Sequence, residues 1–324
     1  MKISALRYGI GLAILAQLTA ASGAADKTAW RMVAGAPFTV SGTALRPTLT
    51  YQPSSEMRQR LSGKVLTLMV EYNAPGKPWR RETVEMVARG TGWTAGISPQ
   101  PADVLIAFKV EAGEEFDDNS GLGYWMIRVG KDGKPLRDAL RQEGRILEAY
   151  DRREGTTDYE AALVKYNEEL RLYPDNYAAI HDRFRVLKKG DEGNALKYQE
   201  EAINWAKEIL SRPANPDSLL VAMKVFLDDE LNLDLRAEAR EAASKFIRLF
   251  PRHQGVDTAR WVLATITEYP DPSQKAKAYR EVADRAREAD IQALARLTEC
   301  NALQEAGDFT GLARCALSYI RKAP

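Results

Sequence analysis

The spacing of hydrophobic and polar residues changes once along the chain, near residue 137. Before that point, short apolar runs rich in branched and aromatic residues alternate with turn clusters. Residues 65–72 and 104–110 are two such runs, and residues 82–87 alternate polar and apolar, as a strand with one solvated face does. Further strands are predicted at residues 45–51, 92–97 and 124–129.

Seven or eight strands in about 100 residues favour an antiparallel β-sandwich of the immunoglobulin-like type. Clusters of proline, glycine, serine and asparagine separate the strands and predict turns at residues 53–55, 73–78, 98–101 and 117–121. A last cluster, at residues 131–135, closes the strand region. We place this domain at residues 25–137.

Beyond residue 137 glycine becomes scarce and the apolar residues follow the period of a helix. Tyr159, Ala162 and Tyr166 recur at spacings of three and four, which places them on one helical face. Asp158 stands where an N-cap is expected, and Pro174 stops the helix. The same pattern continues to the end of the chain and predicts a series of helices.

These helices repeat at an interval of about 38 residues. Pro174, Pro213 and Pro251 end three of them and lie 39 and 38 residues apart, and Pro324 ends a fourth. An interval of this size is typical of stacked helix pairs, in which each pair buries its apolar face against its neighbours. We therefore assign residues 138–324 to a helical repeat array, and the fold class to α+β with two segregated domains.

The first residues have the composition of an export signal. Lys2 and Arg7 precede an apolar run at residues 10–20, and small residues follow at residues 21–25. The run is shorter than the roughly 20 apolar residues that a membrane-spanning helix needs. We expect residues 1–24 to be a signal peptide and the product to be periplasmic or extracellular, with no membrane span.

The charge of the chain is close to balance. It has 46 Lys and Arg against 45 Asp and Glu, a formal net charge of +1, and the loss of Lys2 and Arg7 would bring it to about −1. A nucleic-acid-binding surface needs a concentrated basic face. We therefore expect no nucleic-acid partner.

Cys300 and Cys315 are the only cysteines, and a turn at residues 305–308 separates them. The midpoint between them falls within that turn, so both sulfurs lie at the same height in an antiparallel helical hairpin. An oxidising compartment favours a disulfide between them, with two buried thiols as the alternative. Their spacing does not match that of a catalytic redox motif.

Other polar clusters favour structural roles. Asp117, Asp118 and Asn119 could offer oxygens to calcium, but the glutamate of a calcium loop is missing at the expected spacing, and Asx turns account for the same residues. His181 and His253 lie far apart without the ligand spacing of a zinc site. No nucleophile-elbow motif is present. We therefore expect no catalytic residue, cofactor or bound metal.

Tryptophan and tyrosine are dense in the strand region, where coplanar exposed rings could stack on sugars. Trp93 and Trp125 lie in predicted strands, which favours core packing. Trp79 lies in the polar stretch at residues 77–81 and is expected to be exposed. It is the candidate for a glycan contact.

One segment of the helical part resembles the second half of a tetratricopeptide repeat. The matching residues are Gly155-x-x-Asp158-Tyr159-x-x-Ala162-x-x-x-Tyr166-x-x-x-Leu170-x-x-Tyr173-Pro174-Asp175-Asn176. In that family the small residue lets the helices approach and the aromatic residue fills the seam. Later repeats are longer than the family's period and keep mainly the terminal proline, so the array is tetratricopeptide-like.

A second resemblance covers about residues 40–320. The matching residues are Gly92-Trp93, Phe108-x-Val110-x-x-Gly113-Glu114-x-x-Asp117-Asp118-Asn119-x-Gly121-x-Gly123-Tyr124 and Asp132-Gly133-Lys134-Pro135-Leu136-Arg137-Asp138-Ala139. They are similar to the sandwich and helical region that precede the thioredoxin-like domain in exported TlpA-type bacterial proteins. That domain and its Cys-x-x-Cys motif are absent from this sequence, so the resemblance assigns thiol–disulfide exchange to no residue here.

The favoured function is that of an exported, non-catalytic adaptor or scaffold whose helical repeats bind a protein or peptide partner. Two alternatives stay open. In one, the chain is an accessory region of an envelope thiol–disulfide oxidoreductase system whose thioredoxin domain is absent from this chain. In the other, the sandwich binds glycans. An enzyme is not expected, because no group of residues recommends one.

Overall fold

The structure is a computed structural model, and it describes residues 28–33, 37–119, 121, 123–149, 158–212, 215–231 and 233–322. The predicted signal peptide at residues 1–24 lies outside the described residues, as do Gly155, Pro213 and Pro324. The described residues form two compact units, one ending at Gly193 and the other beginning at Asn194. The predicted domain boundary after residue 137 stays a prediction.

The first unit begins with strands. In the described part of the chain they are β1 (Ala29–Val33), β2 (Phe38–Thr43), β3 (Arg46–Tyr51), β4 (Thr67–Asn73), β5 (Arg80–Glu85), β6 (Val87–Arg89), β7 (Gly92–Gly96), β8 (Leu105–Ala112), β9 (Glu115–Asp117) and β10 (Tyr124–Val129). The six strands predicted from the sequence correspond to β3, β4, β5, β7, β8 and β10, with ends that differ by two residues or fewer.

The strands pair into two antiparallel sheets. One has the order β1-β10-β8-β4-β5 with β9 paired to β8, and the other has the order β2-β3-β7-β6. Buried side chains of both sheets meet in one hydrophobic core, which includes Phe38, Tyr51, Leu68, Phe108 and Met126. Along β3 and β4 every second side chain is buried, because alternate residues of a strand face opposite sides of the sheet.

The predicted turn at residues 53–55 instead starts a short helix, α1 (Ser55–Leu61). Ser54 is its N-cap, and the Ser54 hydroxyl accepts a hydrogen bond from the Met57 N–H at 3.2 Å. Serine is favoured both in turns and at N-caps. Leu61 decides between the two, because it is fully buried in the core of the sheets and holds the segment helical.

Strands β8 and β10 are buried on both faces. Their second face carries Leu105, Ala107, Trp125 and Ile127, which pack against the helix α2 (Ala139–Ala149). A strand covered on both sides loses the alternation of polar and apolar residues. For this reason β10 reads as an almost continuous apolar run and has no exposed side chain.

Helices follow the strands. They are α3 (Tyr159–Leu172) and α4 (Tyr177–Gly190) in the first unit, and α5 (Ala195–Ser211), α6 (Pro216–Phe226), α7 (Arg236–Leu249), α8 (Val256–Ile266), α9 (Pro272–Arg285), α10 (Ala289–Glu305) and α11 (Phe309–Lys322) in the second. Asp158 caps α3 as predicted, with its carboxylate accepting from the Ala161 N–H at 2.8 Å. Antiparallel strands followed by helices confirm the α+β fold class at this level.

In the second unit each helix contacts the next one in the sequence, from α5 through α11. Fully buried alanines stand where neighbours meet, as at Ala206, Ala243, Ala259 and Ala283, because a small side chain lets two helix axes approach. Within the described residues, the helices are too short or too polar to reach across a lipid bilayer.

Candidate functional site

A buried network of charged side chains joins α2 and α4. The Arg141 Nε donates to Asp182 Oδ2 at 2.7 Å, and its Nη1 donates to Asp138 Oδ1 at 3.2 Å. The side chains of Arg141 and Asp182 are only 3% and 0% exposed. Removing such a pair from water costs several kcal/mol, which only good hydrogen bonds offset. The network therefore fixes how the two helices pack rather than adding much net stability.

The pairing also determines the protonation of this network. Burial acts to raise the pKa of Asp182, but the Arg141 guanidinium and the other nearby basic groups hold that pKa well below its usual range. Burial likewise acts to lower the pKa of Arg141, and the carboxylates of Asp182 and Asp138 keep it above its usual value. Both side chains are therefore charged at neutral pH, and neither is poised to transfer a proton.

A second buried junction lies where α3 turns into α4. The fully buried Glu169 accepts two hydrogen bonds on Oε1, from the Asp138 N–H at 2.7 Å and the Asn176 Nδ2 at 2.8 Å. Asn176 also donates to Asp138 Oδ1 at 3.1 Å and caps α4. Burial raises the pKa of Glu169, and the two donors counter part of that rise. This junction ties the start of α2 to the turn between α3 and α4.

Two more glutamates, the buried Glu143 and the partly buried Glu148, line the contact between α2 and α3. Glu143 accepts from Lys165 Nζ at 3.0 Å, and Glu148 accepts from the Tyr166 hydroxyl. Burial raises the pKa of both carboxyls. Gly144 lies between them against the Tyr166 ring, and a Cβ at this position would come within 2.8 Å of a ring carbon. All these partners lie in α2 and α3, so the contacts hold these two helices together.

The calcium candidates lie at the end of β9. Asp117 is buried, and its carboxylate accepts from the Tyr124 hydroxyl at 2.7 Å and from the Tyr51 hydroxyl. Asp118 and Asn119 close the following turn: Asp118 Oδ1 accepts from the Gly121 N–H at 2.9 Å, and Asn119 Nδ2 donates to the Gly123 carbonyl at 3.1 Å. Burial and the hydrogen bond to Asp117 raise the pKa of Tyr51 and of Tyr124. These contacts tie the turn to the core.

The histidines are separated in the structure as in the sequence. His181 is buried in α4 beside Asp182, with 3.7 Å between His181 Nδ1 and Asp182 Oδ1. His253 packs edge-on against Phe246, and its Nδ1 accepts from the Gly255 N–H at 3.1 Å. Among the described residues, no three or more His, Cys, Asp or Glu side chains converge as metal ligands would.

Trp79 is 37% exposed and precedes β5. The other tryptophans of the strand region pack inward: Trp30 and Trp125 are 7% and 5% exposed, and Trp93 packs against the core. Trp79 therefore does not share a sugar-stacking face with Trp30, Trp93 or Trp125.

The two cysteines lie opposite each other on α10 and α11. A disulfide joins Cys300 to Cys315, with 5.7 Å between the Cα atoms. Around it, Ala302, Leu303 and Leu312 pack with Ala276 of α9. The bond therefore lies in the small core that attaches the last helix of the described chain to the stack.

The far side of α11 carries an exposed row of apolar side chains. Phe309, Leu317 and Ile320 are 72%, 54% and 69% exposed, and Ala313 lies between the first two. We call these four residues the α11 stripe. Ala313 and Leu317 each stand two residues from Cys315, which places them about 200° around the helix from the disulfide. The stripe thus points away from the side that α10 covers, and it is the candidate binding site.

The helix α11 could be predicted from the sequence, but the stripe and the buried networks could not. A signal for the stripe exists, because apolar residues occupy both faces of α11 rather than one. The sequence signal for the networks is weaker. Helical spacing places Arg141 and Asp182 on buried faces of their helices, but the sequence does not show that the two side chains pair with each other.

No protein-family model matches the chain, and no curated protein matches it.

Proposed function

We propose that this chain is an exported, non-catalytic adaptor that binds a protein partner through its helical part. The α11 stripe carries the proposal. Large exposed apolar side chains in a contiguous row mark interaction surfaces more often than isolated ones do. A helix-shaped partner would extend the stack, covering α11 as each helix of the second unit covers its predecessor.

The proposal includes a specific type for each part of the fold. The strand region serves as an immunoglobulin-like sandwich that spaces or docks the adaptor, and the helices serve as tetratricopeptide-like repeats. Two observations support these assignments: the buried side chains of both sheets share one core, and the helices of the second unit pack in sequence order. An envelope location follows from the signal-like sequence at residues 1–24 and suits the disulfide.

The test is affinity capture from envelope extract with cross-linking, using the full chain. Leu317→Glu places a charge in the middle of the stripe, and it should remove the partners that the wild type captures. Leu196→Glu is the matched control, because Leu196 is a single exposed leucine on α5, 75% exposed. Equal capture by both variants, or no partner for the wild type, would contradict the proposal.

A further inference from the structure

The disulfide between Cys300 and Cys315 holds the helix that carries the α11 stripe. We propose that this bond is a redox-sensitive switch: while it is intact α11 stays on α10 and presents the stripe, and its reduction by a dithiol releases α11 and removes the docking surface. The inference rests on the proposed function for what the stripe binds, but release of the helix can be measured without a partner.

The inward face of α11 consists mostly of small side chains. Its described residues that are buried or half-buried are Gly311, Leu312, Cys315, Ala316 and Ser318. Leu312 is the only large apolar side chain in this set, whereas α7 is anchored by the buried Phe246 and α9 by the buried Tyr279. Because burial stabilises in proportion to the apolar area removed from water, α11 gains less from packing than these helices do.

The ion pairs near the disulfide hold α10 rather than α11. They join α9 to α10 and are Lys275 with Glu305, Arg280 with Glu299, and Asp284 with Arg296. The Cys315 sulfur lies 3.3 Å from the Arg296 carbonyl oxygen. After reduction the Cys315 thiol could donate to that oxygen, but a thiol is a weak donor. We therefore expect α10 to stay in place when α11 is released.

The helix α11 has little stability of its own. It has 14 residues, and isolated helices shorter than about 12–15 residues are marginal in water. Its first turn is capped, because Asp308 Oδ1 accepts from the Gly311 N–H at 2.8 Å, but glycine within a helix lowers its stability. Once detached, α11 should lose its helical order and with it the row of side chains that forms the stripe.

One of the two sulfurs lies close to solvent. Cys300 is half-buried, and its neighbours on the same face of α10, Leu297 and Gln304, are both exposed. Cys315 is only 4% exposed. Thiol–disulfide exchange requires access to the sulfur that is attacked. We therefore expect the attack at Cys300.

The reaction needs a dithiol as its reductant. One thiolate of the dithiol bonds to the Cys300 sulfur, the bond between the two cysteines breaks, and Cys315 leaves as a thiolate that takes up a proton. The second thiolate of the dithiol then attacks the dithiol sulfur bound to Cys300, and Cys300 leaves and is protonated. The protein has gained two electrons and two protons, and the dithiol has become a disulfide.

The length of the closed loop sets the size of the effect. The bond closes a loop of 15 residues, for which the chain-entropy model corresponds to a change in the docking equilibrium on the order of a hundredfold. A helix anchored by one half-buried leucine lacks the packing that would hold it after such a loss.

Hydrogen–deuterium exchange of the full chain, read out by mass spectrometry, tests the release. Dithiothreitol is the reductant, and alkylation of the thiols verifies that the bond is reduced. Reduction should raise the exchange rate of the α11 amides by about a hundredfold and change the amides of α5–α8 far less. Continued protection of α11 after verified reduction would overturn the inference, as would an equal increase along the whole second unit.

Variants give the same test without a reductant. Cys300→Ala with Cys315→Ala should release α11 in the absence of a dithiol and should not respond to one. Leu317→Glu is the matched control, because Leu317 lies on the far side of α11 and its substitution should leave the wild-type protection of that helix intact while the disulfide is present. A double variant whose α11 is as protected as in the wild type would contradict the switch.

Partner capture separates the failure of this inference from failure of the proposed function. Partners that the oxidised wild type captures from envelope extract should be lost in the double alanine variant, which needs no reductant in the extract. Release of α11 without any captured partner would reject the adaptor and keep the switch. Equal capture with and without the bond would keep the adaptor and reject the switch.

Discussion

Some single residues of the first unit contribute to stability in a way that their neighbours in the sequence do not reveal. Glu169 looks like one more solvated glutamate of a helix, yet it is fully buried and holds the Asp138 N–H and the Asn176 amide. A buried carboxylate is costly unless its hydrogen bonds are made. Glu169 therefore connects the start of α2 to the turn between α3 and α4.

Substitution of Glu169 should separate its hydrogen bonds from its charge. Glu169→Ala leaves the two donors without their acceptor and should lower the free energy of unfolding by about 1–3 kcal/mol. Glu169→Gln keeps an acceptor oxygen and removes the charge, so it should cost less. Urea unfolding of the two variants and the wild type measures both effects, and equal losses would contradict this account.

The difference in stability between Glu169→Gln and the wild type should depend on pH, and the raised pKa of Glu169 determines the sign of that dependence. Because the folded-state pKa of Glu169 is raised, its contribution to stability is fully present below the unfolded-state pKa of about 4.3. That contribution is lost as the pH rises through the folded-state pKa. Glu169→Gln lacks this loss, so its stability relative to the wild type should increase as the pH rises from about 4.3 to the folded-state pKa of Glu169. A constant difference across that range would contradict the raised pKa.

At the level of elements, Gly144 shows how closely α2 and α3 pack. Glycine within a helix normally destabilises it, so replacing glycine with alanine normally raises the free energy of unfolding by about 1 kcal/mol. Here the new Cβ would lie 2.8 Å from a carbon of the buried Tyr166 ring. Gly144→Ala should therefore destabilise the protein despite its better helix propensity. Thermal unfolding followed by circular dichroism gives the sign, and a stabilised variant would mean that the helices can move apart.

The disulfide acts on another pair of elements. It closes a loop of 15 residues between α10 and α11, for which the chain-entropy model gives about 3 kcal/mol. Cys300→Ser with Cys315→Ser should lower the stability of the second unit by about that amount. Calorimetry of the double variant and of the reduced wild type should agree, since both lack the bond. Unchanged unfolding in both would contradict a structural role.

At the scale of the whole molecule, the helix α2 packs with the sheets. The sequence places the boundary after residue 137, where the hydrophobic period changes. In the structure, Leu140 and Ile146 of α2 are buried against Trp125 and Ile127 of β10. A change of secondary structure therefore need not coincide with the edge of a cooperative unit.

Two fragments should show the difference. A fragment of residues 194–324 keeps a complete unit and should unfold cooperatively, whereas residues 138–324 expose the side of α2 that the sheet covers. We expect the longer fragment to bind a hydrophobic dye and to aggregate at lower concentration. The measurements are dye fluorescence and light scattering at matched concentration. A well-behaved longer fragment would favour the boundary after residue 137.

Much of the fold could be predicted from the sequence because local patterns carry it. Short apolar runs identified β4 and β8, alternation identified β5, and helical period with Asp158 and Pro174 at its ends located α3. The exceptions have a common cause. Serine at residue 54 suits a turn or an N-cap equally well, and only the burial of Leu61 selects the helix α1.

The candidate site could be predicted less well, because exposure depends on what a chain folds against. The sequence by itself determined the order of strands and helices, the charge balance and the pairing height of the two cysteines, since these follow from local spacing. The tertiary structure alone decided which charges are buried together and which side of α11 remains uncovered. Both depend on contacts between residues distant in sequence, and local periodicity does not encode such contacts.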